Sequence, residues 1–401
     1  MNKRLLKKLR MVTIICLVVL VIELMYILFC AFVKEDKSIY FDGINAFDVT
    51  EGGYVAVGSN NNNDKYYEKA KLTVYNKRKE NVLEKLYNKG YNSAFFDVTV
   101  DGDSYIVVGN CESDKKDNNN STRDALIVKY DKDGNVIFDN TFSVLDNSKF
   151  TSVVVVKDGY LVVGQSIYKS DKVGDSKEGG AYLIKYSKEG KLLWKVNYGN
   201  NNSAIFNDLL VHGDYIYVVG KNNSRVGLIC KYDEDGTLID FNDYKYTDAL
   251  GFSGIVELDD YLYVCGSNRT DDDDTDAMIV KYDLNTKYID QVMYDSEGME
   301  RFNKIIKDKH DNLITIGINA MVDEKSHNTV DEYDYDGIIA KYDKELDKIA
   351  VVNYGDERDD YFTDLKLDEN NYLVSGYSSY EDGSYMSKFI KYSDALKVLE
   401  I

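Results

Sequence analysis

YLVVGQSIYKSDKVGDSKEGGAYLIKYSKEGKLLWKVNYGNNNSAIF, residues 160–206, is one turn of a repeat that runs through the chain. Its landmarks are an apolar run closed by Gly164, a second closed by Tyr186, an aromatic at Tyr198 and then Phe206. The glycine recurs as Gly58, Gly109, Gly164, Gly220, Gly266, Gly317 and Gly376, and the tyrosine as Tyr75, Tyr130, Tyr186, Tyr232, Tyr282, Tyr342 and Tyr392. The step from that Tyr to the next aromatic (Tyr87, Phe142, Tyr198, Tyr244, Tyr294, Tyr354) never varies, and neither does the step from there to a Phe (Phe95, Phe150, Phe206, Phe252, Phe302, Phe362). From Phe to the following Gly the step is again constant, except that Phe302 to Gly317 is longer by one position. Only the Gly-to-Tyr interval is free, shortest from Gly220 to Tyr232 and longest from Gly317 to Tyr342, so each unit carries one connection of variable length.

A period of roughly 50 residues is that of propeller blades built from four strands. Each unit parses accordingly: strand a after the Phe (FTDLKL, 362–367), strand b (YLVVG, 160–164), strand c (ALIVKY, 125–130) and strand d (KLLWKVNY, 191–198). The b runs are apolar without alternation, which implies burial on both faces between neighbouring sheets. Three c-to-d turns place Gly134, Gly190 and Gly236 where a hairpin needs a left-handed residue. The other four lack that glycine and are expected to turn by longer or less regular paths. With almost no helical periodicity after residue 33, the expectation is all-β: a seven-bladed β-propeller of four-stranded antiparallel blades over residues 38–401. The segment 38–42, SIYFD, resembles the end of a d strand and is expected to flank the outer strand of blade seven.

The succession of DG, Tyr, three apolar residues and Gly, then KY, a turn glycine and an apolar run that holds Trp194 in the third unit, resembles the bacterial extracytoplasmic seven-bladed propeller repeats of the SBBP type, over residues 38–401. That resemblance implies a binding platform and specifies no chemistry. The GH and WD pairing of WD40 repeats, the paired glycines of kelch repeats and the sialidase Asp-box are all missing from the sequence.

Residues 1–34 are different material. Lys3, Arg4, Lys7, Lys8 and Arg10 form a basic tail (1–10) before residues 11–33, of which fifteen are Leu, Ile, Val or Phe. As a helix this stretch reaches roughly 34 Å, enough to cross a bilayer. Its mid-span acid, Glu23, is outweighed by those apolar residues and is a candidate contact to a partner helix. The run is longer than a usual signal-peptide core, no A-x-A site follows it, and bulky Phe29 before Cys30 is wrong for a lipoprotein signal. The basic flank places the N-terminus in the cytoplasm, so the propeller is expected outside, close to a cell membrane crossed once.

Residues 35–401 hold 43 Lys and Arg against 68 Asp and Glu, a balance of −25 that disfavours nucleic acid or anionic lipid as partners. Cys230 and Cys265 replace core valines and Cys111 opens a loop, which reads as small buried residues and not a disulfide framework. The three histidines, His212, His310 and His327, fall in different units and read as turn or loop residues; neither a zinc motif nor a triad is indicated. Catalytic residues and cofactors are therefore not assigned. Two acidic features remain as weak cation candidates. Strand a carries Asp48, Asp97, Asp208 and Asp364 at one register, with Ser152, Gly254 and Lys304 in the other units; these carboxylates form a partial axial ring or accept backbone hydrogen bonds from their neighbours. The second is the run Asp271, Asp272, Asp273, Asp274 with Asp276, which lacks the Gly and Glu of an EF-hand loop. The Lys before the strand-c Tyr in six units (Lys129, Lys185, Lys231, Lys281, Lys341, Lys391) is read as a snorkelling residue. The sequence therefore points to a non-catalytic binding or scaffold propeller for a protein or envelope ligand, recognised by the variable b-to-c loops, the longest being 110–124, 165–180 and 318–336. The alternative is a propeller-type hydrolase or lyase with its site at the channel mouth.

The topology is open to a direct check. Protease added to intact cells with the wall removed should digest residues 35–401 and leave an anchor fragment, whereas protection of those residues overturns the assignment.

Overall fold

The four apolar runs of each repeat pair in chain order as an antiparallel meander. In the third repeat these are strand a, Asn147–Val156, strand b, Gly159–Ile167, strand c, Gly180–Ser187, and strand d, Leu192–Tyr198. The computed structural model describes residues 43–400 apart from 61–67, 91, 113–121, 168–178, 200–203, 223–225, 245–248, 272–273, 286, 288, 297, 323–332, 356–358 and 380–384. Within these residues 28 strands form meanders over 44–86, 93–142, 147–198, 205–244, 249–294, 299–354 and 360–400. They make five continuous sheets, because single parallel bridges from Arg123 to Asn147 and from Thr275 to Met299 join two pairs of meanders. The basic tail, the apolar span with Glu23 and the segment 38–42 lie outside the described residues, among which no helix is long and apolar enough to cross a membrane.

The repeat glycine was expected to end strand b, but it lies inside it. In the third meander strand b continues from Gly164 to Ile167, and in the second from Gly109 to Glu112. What the glycine faces is a bulge in strand a immediately after the repeat Phe, seen as register shifts at Phe95/Asp97, Phe206/Asp208, Phe252/Gly254, Phe302/Lys304 and Phe362/Asp364. The bulge brings a carbonyl so close that a Cβ on Gly109 would sit 1.9 Å from Ala94 O, and one on Gly317 1.8 Å from Arg301 O. No side chain fits there, so the glycine is set by backbone approach.

The two invariant aromatic spacings have an equally local cause. Phe206 lies 5.8 Å from Tyr198, which ends strand d of the preceding meander, and 6.4 Å from Tyr232, which ends strand c of its own. Phe302 repeats this with Tyr294 and Tyr342, and Phe362 with Tyr354 and Tyr392. Each Phe thus wedges two meanders together at ring distances where aromatic pairs attract. The apolar core accordingly divides into clusters that each draw on two consecutive meanders, such as Leu161 and Leu183 with Phe206 and Val218. One cluster joins the last meander to the first through Ile44, Phe47, Tyr54, Leu373 and Phe389. The Ile44 amide also donates to Ser387 Oγ (2.9 Å) and Tyr54 Oη to Asp368 (2.9 Å), so the ring is closed. A closed ring of stacked antiparallel meanders is a β-propeller.

The c-to-d turns depart from expectation. Gly134, Gly190 and Gly236 are left-handed as predicted, but Lys79, Leu346 and Leu396 adopt the same conformation (φ 60°, 69° and 54°) and close the same three-residue hydrogen bond. Only the fifth turn is longer, with Lys287 bonding back to Asp283. A left-handed non-glycine costs roughly 1–2 kcal/mol, and burial against the preceding meander offsets it. Where that meander presents a bulky ring the turn has glycine: Gly190 lies against Phe138 and Gly236 against Trp194. Where it presents Ala350, Leu396 fills the space, and where it presents Asp240, Lys287 pairs with it at 2.6 Å.

The strand-c lysines are latches as well as snorkelling residues. Lys129 donates to Tyr160 of the next meander (2.9 Å), whose hydroxyl donates to Asp101 (2.7 Å) at the end of strand a. Lys341, Tyr372 and Asp308 repeat the arrangement with Lys341 only 5% exposed, and Lys391, Asp368 and Tyr54 repeat it across the closure. Hydrogen bonds from Asn312, Tyr372 and the His310 amide hold the Asp308 carboxyl below its ordinary range although burial pushes it up.

Phe389 is central to closure, contacting the rings of Phe47 (4.9 Å), Tyr54 and Tyr75. Phe389→Ala should cost about 3–5 kcal/mol in a denaturant titration; a loss below about 1 kcal/mol would mean that the ring does not depend on this contact.

Candidate functional site

The sequence singles out four axial carboxylates, Asp48, Asp97, Asp208 and Asp364. All four stand on strand a, but not at the one register expected: Asp97, Asp208 and Asp364 directly follow the bulge, whereas Ala46 takes that place in the first meander and Asp48 lies two residues further on, because the bulge there precedes Ala46. Each is tied to the next meander by a backbone amide. Val100 N donates to Asp48 (3.0 Å), Val153 N to Asp97 (2.8 Å), Ile255 N to Asp208 (3.3 Å) and Phe47 N to Asp364 (3.0 Å). Their other oxygens accept from the following residues Val49, Val98, Leu209 and Leu365. Ser152 Oγ bridges Asp97 (3.0 Å) and Asp208 (2.9 Å), and Lys304 Nζ approaches Asp208 at 3.3 Å. The bulge residues add a parallel set: Asn45, Thr151, Asn207 and Asn303 donate to the carbonyls of Phe95, Phe206, Phe252 and Phe362. These acids act as struts between meanders, with their oxygens occupied by protein donors.

Burial pushes the Asp97 carboxyl up to about 6, against the pull of Lys304 and Lys366. Burial pulls the Lys304 ammonium down, but Asp208, Asp364 and Asp97 more than offset this and raise it.

The second acidic feature divides. Asp272 and Asp273 lie outside the described residues, while Asp271 and Asp274 pair with each other at the tip of the hairpin between Tyr261–Asp271 and Asp274–Asp283. Asp276, one residue beyond Thr275, is buried, and its carboxylate gathers with those of Asp295 and Glu300 within 4.8 Å of one another. His310 is exposed in a turn, His212 pairs with Glu257 of the next meander at 2.8 Å, and His327 lies outside the described residues. Cys111 was expected to open a loop but is buried inside a strand, Ser104–Glu112; burial pushes its thiol up to about 12 and that of Cys265 likewise. Reactive thiolates need the opposite environment.

At the end where the b-to-c and d-to-a connections emerge, Ser267, Thr275, Met299, Glu300, Arg301, Ile318, Tyr335 and Tyr361 line a cleft of ≈ 340 Å³. Its wall is a ladder of half-buried tyrosines. Tyr335 stacks on Tyr361 (5.5 Å, 26°) and Tyr361 on Tyr377 (5.0 Å, 28°), with exposed Arg301 on the same strand as Glu300. A larger cleft of ≈ 540 Å³ opens at the opposite end between the first and second meanders, beside Glu51, Asp103 and Lys132, all exposed. The sequence reading did not single out these tyrosines, or Asp295 and Glu300. The readable signal was position: two places before the repeat Phe stand Ser93, Ser148 and Ala204 in three units, but Glu300 and Asp360 in two others.

No family model and no curated protein sequence matches the chain. Among solved structures it is similar to the β-propeller domain of the Trilobed protease from Pyrococcus furiosus, at 11% identity over 90% of this chain and 96% of that one, with a TM-score of 0.49. It is also similar to a putative 6-phosphogluconolactonase from Bacteroides fragilis (13% identity, 77% of this chain and 82% of that one, TM-score 0.45) and to Kuenenia stuttgartiensis hydrazine synthase (10%, 70% and 75%, TM-score 0.44). At these values the likenesses assign no function to the chain.

Asp97 gives the fold a pH dependence of known sign. Its folded value of about 6 lies above its ordinary one, so the contribution is fully present near pH 3 and is lost as pH rises through 6. The loss is on the order of 2–3 kcal/mol. Unfolding measured from pH 4 to 7 should show this loss in the wild type, and Asp97→Asn should flatten it; an equally steep profile in the variant assigns it to another group.

Proposed function

We propose that the chain is a seven-bladed propeller, each meander a blade, carried outside a cell membrane by residues 11–33 and serving as a non-catalytic binding or scaffold module. The observation that carries the reading is the tyrosine-walled cleft at the end where the variable b-to-c connections emerge. Half-buried aromatic ladders offer flat apolar area at small entropic cost, and Arg301 beside them supplies a directional donor. A rigid ring that varies only in these connections is suited to recognition, and the strongly acidic surface favours a protein or neutral envelope ligand over polyanions.

The alternative, a hydrolase or lyase at the channel mouth, draws on one observation. Asp97, Asp208 and Lys304 converge on the axis from different meanders, with Asp97 titrating near neutrality. The amide donors already held by those carboxylates favour the structural role.

A photo-crosslinking residue at Arg301 should yield partner adducts in native membranes, and one at Asp103 on the opposite face should not. Tyr361→Ala removes the central ring of the ladder, an aromatic contact worth about 1.4 kcal/mol of binding, and should lower the adduct yield roughly tenfold. Adducts that form equally from both faces, or that survive Tyr361→Ala, place recognition elsewhere.

A further inference from the structure

We propose that Asp276, Asp295 and Glu300 form a site for a hard divalent cation of the calcium class at the junction of the fifth and sixth meanders. The site is assembled by the fold from separate elements. Asp276 stands on Asp274–Asp283, Glu300 on Met299–Lys307, and Asp295 in the connection between meanders, beside the parallel bridge from Thr275 to Met299. Their carboxylate oxygens lie within 4.8 Å of one another. Two oxygens bound to one calcium at about 2.4 Å each are separated by no more than this. The group holds no His or Cys, so the donors are all oxygen, which selects calcium-like ions over zinc.

Independent of the carboxylate count, Glu300 lacks, among the described residues, what a buried acid otherwise needs. Glu300 is 1% exposed; Ser296 Oγ donates to its Oε1 at 2.5 Å, and its Oε2 is buried with no hydrogen-bond partner among the described residues. Asn319 is directly opposite Glu300 in the sheet and fully buried, and its oxygen is held by Ser296 at 3.0 Å. Its amide nitrogen has no partner among the described residues. Rotation of that amide exchanges its ends, so that its nitrogen donates to Ser296 Oγ, whose single proton goes to Glu300, and its oxygen takes the unpartnered place. Exposed Asp295 leaves a route from solvent.

The repeat supplies its own comparison. One junction further on, the same three positions are Asp336, Gly355 and Asp360. There Lys388 Nζ reaches Asp360 at 2.9 Å and Ser378 also donates to it, while the Asp336 carboxylate occupies the space above Gly355. Where the protein brings its own ammonium, the third acid is missing. Where the third acid is present, a bound cation would supply the countercharge.

Cation binding at this junction does not depend on the ligand proposed for the neighbouring cleft. Full-length protein, stripped with EDTA and titrated with CaCl2 by calorimetry, should bind one ion with a Kd between about 10 µM and 1 mM. Glu300→Gln and, at the exposed position, Asp295→Asn should each weaken binding at least tenfold. In EDTA, Glu300→Gln should melt no lower than the wild type, because the amide keeps the Ser296 hydrogen bond and sheds a buried charge. No saturable binding up to 5 mM calcium (about fivefold above the weakest expected Kd) overturns the proposal. So does calcium affinity unchanged in both variants, or lost only when Asp271 and Asp274 are replaced.

Discussion

The bulge that follows the repeat Phe is the constraint on which the ring depends. It displaces one strand-a residue in each meander, and that displaced residue, Asn45, Thr151, Asn207 or Asn303, then reaches across to the next meander's Phe carbonyl. It also sets the following position, occupied by Asp97, Asp208 and Asp364 in three units, to collect a neighbour's amide. Without the bulge, strands a and b would pair regularly and the inner edges of adjacent meanders would have no polar link. The glycine opposite is a consequence of the bulge, since only a residue without Cβ tolerates the approaching carbonyl.

Much of this architecture was legible because aromatic wedges need fixed spacing. The constant steps from Tyr to aromatic and from aromatic to Phe encode the contacts of Phe206 with Tyr198 and Tyr232, and they repeat because the geometry between meanders repeats. The glycine was legible as a landmark and misread in role, because a strand end and a bulge-facing position both favour glycine. The turns were harder. Nothing local announces that Leu346 or Leu396 adopts a left-handed conformation; the reason lies in the strand of the preceding meander, far away in sequence. The strut role of the axial aspartates was one of two readings available, and each of the four carboxylates does accept a backbone amide of the next meander.

The site was less readable. The acidic run at 271–276 drew attention by its density, yet its described member of consequence is Asp276, and what gives it meaning is Glu300, well downstream in another meander. Tyr335, Tyr361 and Tyr377 are three among 35 tyrosines, and only the fold shows that they stack. Chemistry gathered at a junction between repeats leaves no compact motif, because each repeat contributes only one or two of its members.

Trp194 is the one tryptophan of the chain, and its ring lies against Gly236 in the turn of the next meander. Its fluorescence is therefore a local probe: it senses the seam between the third and fourth meanders and is blind to the others. A ring whose apolar clusters each belong to one seam can open at one place while the rest stay packed, as in arrays held by nearest-neighbour contacts. Emission that changes at a different denaturant concentration from backbone circular dichroism would then measure how far the seams act together, and which of them gives way first.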